Sequence, residues 1–177
     1  MTSPIRQPAI APPPIRPAMP RADDPSAWLE AHYRAVYAER MADLPFVNAA
    51  LQVEAVGFAW QHVDPQASTG VLGILITPWC MNLVWLPDDT QNRPAEGQSQ
   101  EYQIGGERLE FISVEDDVFG HYQSCSLFSP MFDFSDQQSA RETATHVLSL
   151  LRRPPRQAPA NPSRRSLLFG RLSEERQ

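Results

Sequence analysis

Lysine is missing from this chain of 177 residues, so all 15 of its cationic side chains are arginine. Cysteine is scarce too: Cys80 and Cys125 stand 45 positions apart, without CxxC spacing. Together with four scattered histidines (His32, His62, His121, His146), they offer no metal-ligand constellation. That excludes a structural zinc or a rubredoxin-like iron site built within one chain. The eight glycines form neither a nucleophile-elbow GxSxG nor a phosphate-cradling loop, which argues against those two kinds of catalysis. No apolar run is long enough to span a bilayer. The opening stretch is too often broken by proline to hold the apolar core of a secretory signal, so the expected location is the cytoplasm.

What the chain does have in quantity is proline, and it is unevenly placed. Of 18 prolines, seven lie in the first twenty residues and four between Pro154 and Pro162. Neither stretch has the apolar periodicity of a core. Residues 1–22 therefore read as a disordered Pro-rich arm, and 154–177 as a Pro-containing linker with a basic, apolar tail. Charge divides the same way. The arm carries Arg6, Arg16 and Arg21 and no acid; residues 152–177 carry seven arginines against Glu174 and Glu175; the body between them is left at −14. Such a body favours a basic ligand, or its own arms, and repels the phosphates of a nucleic acid.

Residues 23–153 form the folding unit. A first helix is expected from Asp24-Pro25, with Leu29, Tyr33, Val36 and Tyr37 on one face, ending at Asp43-Leu44-Pro45. From Leu51 the apolar period becomes two and slips by one residue beside Gly57, which predicts a β-bulge that keeps both halves on the core. GVLGILIT (70–77) and MNLVWL (81–86) read as buried strands around a corner at Pro78-Trp79-Cys80. Tyr102 to Ile104 and Leu109 to Val114 flank Gly105-Gly106 as a hairpin. The acidic turn Glu115-Asp116-Asp117 precedes a strand over Tyr122–Leu127. A last helix is expected to start with a capping box at Ser135 and Gln138 and to bury Ala140, Ala144, Val147, Leu148 and Leu151. The sum is a single α+β domain, a mainly antiparallel sheet flanked by an N-terminal and a C-terminal helix.

Chemistry is sparse in this frame. Ser124-Cys125-Ser126 with His121 or His146 as base could be imagined as a nucleophile, but a cysteine inside a strand pattern is usually a small buried hydrophobe. The acidic triplet lacks the spaced ligands of a calcium loop. The apolar loops are more telling. Trp79 and Met81 stand at a corner, and Phe128, Met131 and Phe132 stand in a segment rich in turn-formers. With Glu115, Asp116 and Asp117 they suit a groove for an apolar, arginine-bearing peptide; equally, the loops could cap the core. The tail SRRSLLFGR (163–171) has the order of a twin-arginine export signal, with Arg164 and Arg165 before Leu167, Leu168 and Phe169, at the wrong end of a chain to act as one. It could mimic such a signal in the groove, or plug the core.

Three phrases, ITPWCMNLVWLP, GHYQSCSLFSP and RRSLLFGR, with ERLEF between the first two, resemble the HybE/HupJ family of nickel–iron hydrogenase assembly chaperones over about residues 26–171. Cys80 departs from HybE, which carries methionine there, and this favours packing over redox use. The resemblance implies a non-catalytic cytoplasmic chaperone in uptake hydrogenase maturation, without cofactor or metal. Its partner would be the hydrogenase small subunit, engaged through its twin-arginine signal peptide, with the large subunit as a further candidate. The alternative is a scaffold that shields the folding small subunit and its iron–sulfur sites from oxygen without reading the signal.

Overall fold

The computed structural model describes residues 24–63, 68–88, 93–118 and 120–153. The expectations for the arm and for the tail, including Arg164, Arg165, Leu167, Leu168 and Phe169, lie outside these residues.

Six strands form one antiparallel sheet: β1 Glu54–Val63, β2 Ser68–Ile76, β3 Met81–Pro87, β4 Ser99–Ile104, β5 Glu107–Asp116 and β6 Gly120–Phe128. Their spatial order is β1-β2-β3-β6-β5-β4, and the sheet curls until its two edge strands approach each other. Helix α1 (Ser26–Val36) precedes the strands and helix α2 (Gln137–Leu151) follows them. This is the expected α+β domain, with the hairpin at Gly105-Gly106 and the corner at residues 78–80 in place.

Both faces of the sheet carry a core. On the inner face Trp85, Phe111, Leu83 and Ile74 meet α2 through Ala140, Ala144, Leu148 and Leu151. Two of those four contacts are alanines, which let the helix axis come close to the strands. On the outer face Leu29 of α1 sits among Phe58, Val71, Val84 and Tyr122. Leu29 is the one residue of α1 that is fully buried, so truncating it to alanine removes the helix's anchor at about 2–5 kcal/mol.

The bulge falls where the phase slip placed it, between Val56 and Ala59. Gly57 adopts φ +61 there, a conformation costly for any residue with a Cβ. The slip keeps Val53, Ala55 and Phe58 on the outer core, while Val56 packs inward and Trp60 remains 46% exposed. Arg152, at the end of α2, donates to the carbonyl of Gly57 and so ties the helix to the bulge.

Three local expectations are corrected. The N-cap of α2 is Asp136, not Ser135: its carboxylate accepts from Ser139 N at 2.8 Å, and Ser139 Oγ donates back to Asp136 O. A charged cap at the positive end of a helix outcompetes a hydroxyl one residue earlier. Helix α1 ends at Val36 and continues as a π-turn over Tyr37–Met41, closed by Ala42 N to Tyr37 O. Glu115 and Asp116 are the last residues of β5, paired with His121 and Gly120, so the turn itself begins only at Asp117.

Candidate functional site

One end of the sheet gathers three connecting segments. The β2–β3 corner is closed by Thr77, whose backbone N–H donates to Cys80 O at 2.8 Å and whose Oγ accepts from Cys80 N at 3.0 Å. This tight closure holds Trp79 at the apex, half-buried, its ring stacked on Tyr37 with centroids 6.2 Å apart. At the end of β6, Phe128 packs edge-on against Phe134 at 5.1 Å. Asn48 then joins the segments. Its backbone N–H donates to Pro78 O at 2.8 Å, and its side-chain amide donates to Met131 O at 3.0 Å and Phe134 O at 2.8 Å.

The large apolar side chains at this end divide into two groups. Phe132 is 58% exposed and Phe46 42%, while Leu44 is exposed at the margin. Met81 and Met131 are wholly buried in the inner core. The expectation that both methionines line a groove is therefore corrected: Met81 opens β3 and Met131 folds under its own loop, which places both side chains in the core. Trp79, Phe128 and Phe132 remain at the surface or its margin. Leu44 and Phe46 join them, a contribution the sequence reading missed. The apolar pair on either side of Pro45 is a visible signal, but only the Asn48 contacts show which loops it accompanies.

The acidic residues lie elsewhere. Gly120 and Phe128 bound β6, so eight residues separate the hairpin from the aromatic end, about 25 Å at ~3.3 Å per residue. Within the hairpin Glu115 is exposed and pairs with Arg93 at 3.5 Å. Asp116, on the opposite sheet face, meets His32 of α1 at 3.0 Å and accepts from Val118 N at 2.7 Å. Asp117 is exposed. The single groove combining acids and aromatics is thus corrected to two surfaces at opposite ends of one strand.

The imagined nucleophile does not assemble. Burial raises the Cys80 thiol above its ordinary pKa, and burial with the nearby Glu110 does the same for Cys125, so both favour the protonated form. His121 bonds Ser113 Oγ at 2.8 Å and is held below its usual value chiefly by burial. It lies four residues from Cys125 along β6, about 13 Å. His146 is exposed on α2. Among the described residues no cluster of His, Cys, Asp and Glu could hold a metal ion, and no helix is long and apolar enough to cross a membrane.

Fold and surface together define an α+β domain that presents apolar loops at one end of its sheet and acidic side chains at the other. Comparison with known proteins gives that class its family. The model of the [NiFe]-hydrogenase assembly chaperone HybE matches residues 24–170, and the chain belongs to that family. It is 46% identical to protein HoxT of Cupriavidus necator over 157 residues, 81% of this chain and 87% of that one. It is 39% identical to the hydrogenase expression/formation protein HupJ of Bradyrhizobium diazoefficiens, covering 86% and 94% of the two chains. The solution structure of HybE from Escherichia coli superposes with a TM-score of 0.56 over 73% of this chain and 77% of that one, at 21% identity, a likeness of fold.

Proposed function

We propose that this hydrogenase assembly chaperone acts in the cytoplasm without catalysis and binds the hydrogenase small subunit through its twin-arginine signal peptide. The supporting observation is the placement of an acidic hairpin and an aromatic end on one strand, about 25 Å apart. A signal of this kind carries two arginines beside an apolar run. A run of about 17 helical residues covers 25 Å at 1.5 Å per residue. The arginines would meet Glu115 and Asp117 with Asp116 beside them, and the apolar run would end on Phe46, Trp79, Phe128 and Phe132. The body's charge of −14 draws the cationic end in, while desolvation of the aromatic side chains supplies most of the affinity.

The test is a binding titration with the isolated signal peptide and with a copy in which both arginines are glutamine, beside pull-downs of full-length and signal-deleted small subunit. Tight binding of the first peptide and weak binding of the second is the expected result. The exposure of Phe46 and Phe132 also fits a second reading, a scaffold that shields folded small-subunit surface around its iron–sulfur sites. Capture of the signal-deleted subunit with undiminished affinity would favour that reading and overturn the first.

A further inference from the structure

The outer face of the sheet is only partly covered. The core beneath α1 spans β1, β2 and β3 and reaches β6 at Tyr122 and β5 at Val114. Past Val114, the outer face of β5 and β4 has no covering element among the described residues. At its centre Ile112 is 50% exposed, opposite Ser99 on one side and Ser124 on the other. One row nearer the β4–β5 turn, Glu101 and Glu110 stand directly opposite each other. Two like charges in facing positions destabilise a sheet unless a cation lies between or over them. Arg108 reaches Glu101 only at 4.0 Å, and Glu110 forms no ion pair among the described residues.

We propose that residues 164–169 of this same chain occupy that face, Arg164 and Arg165 over Glu101 and Glu110, and Leu167 and Leu168 over Ile112. Charge complementarity supports the assignment: residues 152–177 hold seven arginines and two glutamates against the strongly acidic body. Spacing supports it as well. From Glu110 to Ile112 is two residues of strand, about 6.6 Å, and from Arg165 to Leu167 is two residues of extended chain. The order matches when the tail runs away from the β4–β5 turn, and the tail sets out from that turn. The carbonyl of Leu151, at the end of α2, lies against Gly105 so closely that a Cβ there would collide with it. Glu101 lies four residues from Gly105, about 13 Å along β4, whereas the ten residues 154–163 extend to about 33 Å. Tethering gives the tail an effective concentration in the millimolar range, so a weak contact suffices to cover Ile112. The surface is distinct from the aromatic end and does not depend on recognition of the signal peptide.

The test needs no partner. In the full chain labelled at isoleucine methyls, the Ile112 signal is compared among wild type, R164Q/R165Q and L167S/L168S, with Ile74 and Ile104 as references buried in the inner core. The expected result is a shift of Ile112 in both variants, reproduced in wild type by high salt, with both references still. An Ile112 signal identical in all three chains would overturn the proposal. Movement of Ile74 and Ile104 as well would overturn it by making the tail part of the core. A shift that depends on protein concentration would place the tail on a second copy and overturn the intramolecular assignment.

Discussion

Tyr33 of α1 and Tyr122 of β6 meet phenol to phenol, their oxygens 2.6 Å apart where the helix crosses the outer face of the sheet. Each phenol is the other's partner, beside the apolar contacts of Leu29 with Phe58 and Val84. Burial raises both above the usual tyrosine pKa, and for Tyr33 the field of its neighbour adds to that.

Replacing one tyrosine by phenylalanine leaves the other phenol without its partner, at about 1–2 kcal/mol, whereas the double replacement recovers much of the loss. A double-mutant cycle in urea measures this. The linkage to pH follows from the raised pKa values. Their contribution is complete below the unfolded tyrosine pKa of about 10 and is lost as pH rises beyond it, because the unfolded chain ionises first. Melting curves between pH 8 and 11 should fall less steeply for the Phe/Phe variant than for wild type.

The two candidate caps of α2 separate cleanly. Asp136→Ala removes the acceptor of Ser139 N and should lower the melting temperature by a few degrees. Ser135→Ala should stay within about 0.5 kcal/mol, as an exposed residue outside the cap. Thermal unfolding of the two variants side by side is the check.

At the aromatic end, Phe132→Ser should leave the melting temperature within about 2 °C and weaken signal-peptide binding at least tenfold, since an exposed ring contributes to a complex rather than to the fold. Trp79→Ala should lower both, because its ring also stacks on Tyr37. Calorimetric titration beside a melt distinguishes the two. A Phe132 variant with unchanged affinity would remove that residue from the interface.

For the hairpin, the double variant Glu115→Gln, Asp117→Asn should weaken signal-peptide binding several-fold in low salt, with the difference shrinking by 0.5 M salt as screening shortens the reach of charge. Asp116 is left intact because its contact with His32, at 3.0 Å, joins α1 to the sheet. Equal affinities at low salt would make these acids bystanders.

Much of the architecture was legible in the residues themselves. The two-glycine hairpin, the corner at Pro78 and the bulge at Gly57 are local events, written in side-chain period and in backbone freedom. The surfaces were less so. Met81 stands where a corner gives way to a strand and Met131 in a segment that looks like a loop, and only tertiary packing shows both side chains turned inward. Glu115 and Asp116 read as a turn because three acids in a row resemble one, yet their pairing with His121 and Gly120 extends β5 through them. Asn48 gave no signal at all, since the segments it ties together lie 30 and more than 80 positions away.

That asparagine leaves nothing unspent. Besides its three donations, its side-chain oxygen accepts from Ala50 N and its carbonyl from Leu51 N. Three loops that could each wander are thereby locked as a plate before any partner arrives. Little ordering entropy is then lost on this side of an encounter. Under the proposed function, the conformational search then falls to the incoming polypeptide.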